Sequence, residues 1–310
     1  ARRQIPVPVD RRPLPIKIAD YEVEYGDVFR RADLSVTAGG YLLAEGPAYD
    51  PERNVLSWVD IKGCTLYRRD ASGTVRATQV GQYLGAALPM ENGEYLGVMT
   101  TGLYVIGEER LRLLCRPEEL RDFQRANDAK ADPCGRAWFG TMPLFSGPGM
   151  YGDLYCYDGK RCRRVLTGLG IPNGMAWSLD GKTMYFIDTL TRGVDAFDYD
   201  LRSGEIGNRR RVIGVEGLPD GMCIDRDGML WVALWGSGCV GRFDPSNGRQ
   251  LARVPVPAKN VSSCCFAGEH LERLVITTSG EGFADGLDGS LFIADVETCG
   301  AAGNGCFKPL

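Results

Sequence analysis

Apolar and polar residues alternate along most of the chain, in short runs broken by Asp-Gly, Asn-Gly or Ser-Gly pairs. Val194-Asp195-Ala196-Phe197-Asp198-Tyr199 leads to Ser203-Gly204, and Gly241-Arg242-Phe243 leads to Asn247-Gly248. A period of two is that of a half-buried strand, and these dipeptides supply the backbone conformations that tight hairpins need. The pattern predicts short antiparallel strands almost throughout. Only Arg116 to Gln124 reads as a short helical turn.

The alternation is itself repeated. Asn173 to Asp188 aligns with Asp220 to Ala233: an apolar run, an Asp-Gly turn, then an aromatic strand. Weaker copies start at Glu45, near Leu84, at Asn127 and near Val261. Successive starts lie roughly 40 to 47 residues apart, the length of a four-stranded propeller blade. Six copies predict an all-β fold, a six-bladed β-propeller with four antiparallel strands per blade, forming one domain over residues 1–310. Tyr21 to Val36 is left to close the ring by pairing with the last blade, which removes an exposed edge. Residues 1–20 read as an extended arm and Cys299 to Leu310 as a surface tail. Trp58, Trp138, Trp177 and Trp231 recur at strand positions and are expected in the core between blades.

The 41 Gly and 17 Pro suit a fold made of tight turns. The net charge of −4 and the short basic runs, Arg209 to Arg211 and Lys160 to Arg164, read as solvated faces, so no nucleic-acid partner is inferred. No apolar run approaches the ~18 residues of a membrane span, and the first residues do not read as a signal peptide. The 11 Cys contain no C-x-x-C pair, which argues against zinc-finger chemistry and for reduced, buried thiols in a cytoplasmic protein. A single His, His270, sits in a charged segment expected to be exposed, and no G-x-S-x-G elbow accompanies it. Triad chemistry is therefore disfavoured, which leaves carboxylates with a bound metal as the open catalytic route.

Four segments carry the candidate chemistry. They are Ala44-Glu45-Gly46-Pro47, Ala126-Asn127-Asp128, Ile171-Pro172-Asn173-Gly174-Met175 and Leu218-Pro219-Asp220-Gly221-Met222. When a repeat places a different oxygen donor at one equivalent position, those donors converge on its axis. Each residue also has a plainer reading alone: Glu45 as a blade-start residue, Asn173 and Asp220 as turn residues. Asp128, Lys130 and Asp132 read as residues that fix a turn.

With these strings the chain resembles the regucalcin (senescence-marker protein)/gluconolactonase family. The strongest match runs from Pro172 to Phe266 and includes Val194 to Leu201, Pro219 to Asp225, Leu230 to Ala233 and Ser263-Cys264-Cys265-Phe266. Glu45-Gly46-Pro47 and the segment from Asn127 to Arg136 extend it. The resemblance implies metal ligands Glu45, Asn173 and Asp220, with Arg125 and Asn127 on the substrate side. That oxygen-only set suits Ca²⁺, Mg²⁺ or Mn²⁺, and family members also accept Zn²⁺. One departure stands out: after Gly140-Thr141-Met142, where the family carries acidic residues, the chain reads Pro143-Leu144-Phe145.

The implied activity is metal-dependent hydrolysis of gluconolactone-like sugar lactones to aldonic acids. The metal polarises the carbonyl and activates water, and Asp220 acts as the base. The alternatives are a phosphotriesterase of the diisopropyl-fluorophosphatase type and a non-catalytic, calcium-responsive or scaffold propeller. The expected partner is a small lactone, and the expected state a monomer or weak dimer.

Overall fold

The computed structural model describes residues 16–25, 28–108, 110–282, 286–301 and 306–308. The first strands, β1 (Ile16–Tyr25) and β2 (Val28–Ala38), form an antiparallel hairpin. Blade one follows as β3 (Ala44–Asp50), β4 (Val55–Asp60), β5 (Thr65–Arg69) and β6 (Val75–Gln79). Blade two is β7 (Leu84–Pro89), β8 (Tyr95–Met99), β9 (Gly102–Ile106) and β10 (Leu111–Cys115). Blade three is β11 (Gln124–Ala131), β12 (Ala137–Pro143), β13 (Gly152–Tyr157) and β14 (Cys162–Leu169). Blade four is β15 (Pro172–Trp177), β16 (Thr183–Asp188), β17 (Gly193–Tyr199) and β18 (Ile206–Gly214). Blade five is β19 (Leu218–Ile224), β20 (Leu230–Trp235), β21 (Cys239–Phe243) and β22 (Gln250–Pro255).

Blade six has β23 (Val261–Ala267), β24 (Arg273–Thr278) and β25 (Leu291–Asp295), and takes β2 as its outer strand. Leu34 pairs with Ala294 and Val36 with Phe292. The ring therefore closes through the segment that the repeat count left over. β1 goes further than expected. It pairs with β22 at Glu24 and Tyr25, joining blades five and six into one nine-stranded sheet. Residues 16–20, read from sequence as part of an arm, are thus strand, and residues 1–15 lie outside the described residues.

The inner strands β3, β7, β11, β15, β19 and β23 touch one another in cyclic order around the axis. Ser262 Oγ donates to the Ala44 carbonyl at 2.6 Å, linking blade six to blade one. Between blades lie apolar clusters in which Trp58, Trp138, Trp177 and Trp231 are each at most 2% exposed, as their strand positions predict. Trp235, at the end of β20, is only half-buried.

Three expectations need correction. Arg116 to Gln124 forms two turns (Leu120 N–H to Pro117, Gln124 N–H to Arg121), and the sole helical element among the described residues is a 3-10 turn at Thr189–Thr191. So short a segment cannot repay helix nucleation, and Arg121 is instead anchored over the Tyr151 ring and to Asp153. Within the expected tail Phe307 is not at the surface: it is 1% exposed, stacks on Tyr157, and donates its N–H to the Pro89 carbonyl at 2.8 Å, while residues 302–305 and 309–310 lie outside the described residues. All 11 cysteines are free thiols, but only Cys156, Cys239, Cys264 and Cys265 are fully buried.

Candidate active site

Each inner strand breaks register with its neighbour close to its first residues. The breaks fall between Glu45 and Ala48, Leu84 and Ala86, Ala126 and Ala129, Pro172 and Met175, Pro219 and Met222, and Val261 and Ser263. A bulge leaves residues unpaired and re-aims their side chains. Repeated in six blades, it brings equivalent positions to one end of the axis. Asn127, Asp128, Asn173 and Asp220 lie in these breaks, and Glu45 borders its own, still paired with Val59. This is the physical form of the repeat register that aligned Asn173 with Asp220.

Glycines make the close approach possible. Gly46 has φ +51, and a Cβ there would stand 3.4 Å from Ala86 Cβ in the next blade. A Cβ on Gly174 would stand 2.7 Å from the Asp220 carbonyl oxygen, so any side chain would push blades four and five apart.

Glu45, Asn127, Asp128, Asn173, Asp220 and Arg125 are all buried, none more than 9% exposed. Glu45 Oε2 accepts the Gly46 N–H at 2.9 Å. Burial, with the Asp128 charge adding to it, pushes the Glu45 carboxyl up to about 8. Burial also raises Asp220 well above the ordinary carboxylate range, helped by Glu45 and Asp128 and opposed by Arg125 and Asn173. Arg125 is pulled down by burial while Glu45, Tyr83 and Asp220 pull it up. Its Nη1 donates to the Ala126 carbonyl at 2.8 Å and to Asn127 Oδ1 at 3.0 Å. Asn127 Nδ2 in turn donates to the Pro172 carbonyl at 2.9 Å.

Asn173 is held from behind. Its Nδ2 donates to Thr189 Oγ1 at 2.9 Å, and Thr189 donates to the Pro219 carbonyl at 2.7 Å. Its Oδ1 is buried with no hydrogen-bond partner. An orphaned amide oxygen beside two carboxyls whose pKa values are raised is an unfavourable arrangement for the chain alone. A cation would reverse it, since positive charge satisfies the amide oxygen and favours the ionised carboxylates. Glu45, Asn173 and Asp220 therefore fit a hard, oxygen-ligated divalent ion. Among the described residues no group of three or more His, Cys, Asp or Glu side chains is arranged to hold a metal, so any such ion depends on the amide as its third donor.

Sequence reasoning misplaced one residue here. Asp128, read as a turn former, is buried and acts on both Glu45 and Asp220. Its own carboxyl is raised by burial and accepts the Ala129 N–H at 2.7 Å. Asp132 does fix a turn, accepting the N–H groups of Cys134 and Arg136. Thr189 was also missed, because nothing in Asp188-Thr189-Leu190 marks it before blades four and five are placed side by side. His270 is exposed in the turn after β23, an inner strand that carries no candidate site residue. The run Arg209 to Arg211 is neutralised on the outer strands of blade four: Arg209 and Arg211 pair with Asp195, and Arg210 with Asp198. No helix among the described residues is long and apolar enough to cross a membrane.

Comparison with known proteins agrees with this architecture. Regucalcin of Gallus gallus is 37% identical over 254 residues, covering 78% of this chain and 85% of its own length. YvrE of Bacillus subtilis (strain 168), named provisionally as a sugar lactone lactonase, is 34% identical over 273 residues, 84% of this chain and 93% of its own. The crystal structure of a calcium-binding protein, regucalcin from Agrobacterium tumefaciens, superposes with a TM-score of 0.82 at 28% identity, covering 88% of this chain and 96% of that one. Residues 43–280 match the family described as the SMP-30/Gluconolactonase/LRE-like region, which contains every blade's inner strand and every candidate site residue. The chain belongs to the SMP-30/gluconolactonase/LRE-like family.

Proposed function

We propose that this protein is a divalent-metal-dependent lactonase that opens gluconolactone-type rings to hydroxy acids. The observation that carries the reading is the orphaned Asn173 Oδ1, buried next to Asp220, whose carboxyl in turn feels Glu45. Glu45, Asn173 and Asp220 would hold the ion, which supplies Lewis-acid polarisation of the ester carbonyl when bound. The relatives' names support the substrate class, one for sugar lactones and one for calcium.

The chain's own groups have definite tasks in this reaction. Water adds to the carbonyl carbon, the ring C–O bond breaks, and the ring oxygen leaves as a hydroxyl. Asp220 takes the water proton at a carboxylate oxygen and returns it to the ring oxygen. Asp220 suits a relay because a carboxylate that ligates through one oxygen keeps the other for the water. The Arg125 guanidinium, fixed by Asn127 and the Ala126 carbonyl, would supply the cation for negative charge developing on the substrate. Asn127 keeps one donor and one acceptor position for the ring itself, since its other two are used by Pro172 and Arg125.

The test is hydrolysis of D-glucono-δ-lactone by chelated protein, with Ca²⁺, Mg²⁺, Mn²⁺ and Zn²⁺ added back singly and spontaneous opening subtracted. Turnover restored by a cation and absent in Asp220→Ala supports the reading. Equal turnover by Asp220→Ala at normal metal content would end it. Cation binding with no turnover of any lactone or phosphotriester would make the protein a non-catalytic, cation-responsive propeller.

A further inference from the structure

The mouth over this site is apolar. The site lies at the starting ends of the inner strands. The loops that lead into those strands, and the loops joining second to third strands, therefore surround it. Among the described residues, the large apolar side chains with the highest exposure are Leu42, Leu111, Leu113, Leu144, Phe145, Leu179 and Leu190. Four of them stand on these mouth loops. Leu42 precedes β3 and is 53% exposed, Leu144 and Phe145 follow β12 at 42% and 58%, and Leu190 follows β16 at 61%.

Two half-buried aromatics continue the series. Tyr83 precedes β7 and Trp235 ends β20. Both pack on the apolar cluster of blades one and two that contains Leu43 and Leu84, so Trp235 of blade five reaches past blade six. Tyr83 also acts electrostatically on Arg125. Blades one to five thus each place a large apolar group at the end of the ring where the site lies. Scattered exposed leucines need no explanation, but a ring of them around one entrance does.

The polar groups on the same face are largely committed to one another. Lys62 pairs with Glu281 across blades one and six. Gln82 Oε1 accepts from Thr101, and Arg121 is bound to Asp153 and to the Tyr151 hydroxyl. Thr189 is used by Asn173 and Pro219. A polyhydroxylated ring needs a hydrogen-bond partner for each hydroxyl it buries, and this entrance has few to give.

The geometry points to a substrate whose lactone ring carries an apolar substituent, alkyl or aryl, which rests on the collar of Leu42, Tyr83, Phe145, Leu190 and Trp235. The ring enters toward Arg125 and Asn127 while its substituent stays at the mouth. Pro143-Leu144-Phe145 is then the element that changes the entrance from polar to apolar. The inference rests on the lactonase chemistry above and departs from it on the ring: an apolar substituent takes the place of the hydroxyls of a gluconolactone-type substrate.

The experiment compares kcat/KM, with the activating cation present, for γ-butyrolactone, γ-hexalactone, γ-octalactone and γ-decalactone beside D-glucono-δ-lactone. The collar predicts a rise with chain length, about two- to fourfold for each methylene that leaves water. It also predicts that Phe145→Ser/Leu190→Ser lowers the octalactone-to-butyrolactone ratio at least fivefold. Leu179→Ser, at an equally exposed position on the opposite face, should leave that ratio unchanged. A flat chain-length series, a preference for gluconolactone, or a ratio insensitive to the double substitution would overturn the collar while the lactonase reading stood. Absence of turnover for every lactone with every cation would overturn both.

Discussion

Asn173 and Thr189 are joined by a 2.9 Å hydrogen bond in which the amide Nδ2 donates to the threonine hydroxyl. The bond fixes the amide so that Oδ1 points away from the backbone network, and Oδ1 is the atom left without a partner. Thr189 is itself tied to the Pro219 carbonyl, one residue from Asp220. One hydroxyl therefore orients the amide donor of blade four and braces the strand that carries the carboxylate of blade five.

Thr189→Val keeps the shape and removes both bonds. Loss of a partner behind a ligand typically lowers metal affinity about 10- to 100-fold. We expect that loss in calorimetric titration with Ca²⁺ or Mn²⁺, with Thr189→Ser restoring most of it. Wild-type affinity in the valine variant would show that the amide does not ligate through Oδ1.

The metal-free protein should lose stability as pH rises. Glu45 sits at about 8 in the folded chain against an ordinary 4.5, so between these values the folded state holds a proton that the unfolded state has released. Its contribution is full below 4.5, declines through that window and is exhausted above about 8. Thermal melts in chelator at pH 5.5, 7 and 8.5 should fall more steeply for wild type than for Glu45→Gln. A divalent cation has the opposite dependence, because it competes with the same proton, and its stabilising shift should be largest at pH 8.5. Parallel melts for the two proteins would refute the placement of Glu45.

Asp132 predicts a purely structural effect. Its carboxylate binds the Arg136 guanidinium at 2.9 Å, the Trp138 indole N–H at 3.2 Å and the Tyr199 hydroxyl, all fully or nearly buried. Arg136 then reaches the carbonyls of Leu201 and Arg202, locking blade three to blade four. Asp132→Ala leaves a buried guanidinium unpaired, which costs roughly 3–5 kcal/mol. Urea unfolding should show that loss, while cation affinity of the folded fraction stays at the wild-type value.

These residues also show what sequence can and cannot reveal. Blade number, inner-strand positions and the register of Asn173 with Asp220 follow from a repeat whose period is a property of the chain itself. Ring closure followed from the one strand-like segment without a blade. Proximity between blades leaves no such trace. Thr189 matters because the loop after β16 meets Pro219 of the next blade, and Asp128 because its bulge turns it toward Glu45. Phe307 looked like tail because its burial depends on Tyr157, 150 positions earlier in the chain and on another element. The acidic ring and its glycines are written locally, and their surroundings are not.

Asp128 offers the sharpest separation between charge and ligation. Its carboxylate raises both Glu45 and Asp220, and Lys130 opposes its effect on Glu45. Asp128→Asn keeps an oxygen for the Ala129 N–H, so the bulge is preserved. Removing the negative charge should let Glu45 and Asp220 ionise at lower pH, moving the midpoint of cation uptake to more acidic values. Above the wild-type midpoint the same change should weaken binding, because one attractive charge near the ion is gone. Affinity curves against pH for the two proteins should therefore cross, the variant binding more tightly in acid and less tightly in alkali. A uniform loss at every pH would instead make Asp128 a direct ligand. No change at any pH would remove it from the site.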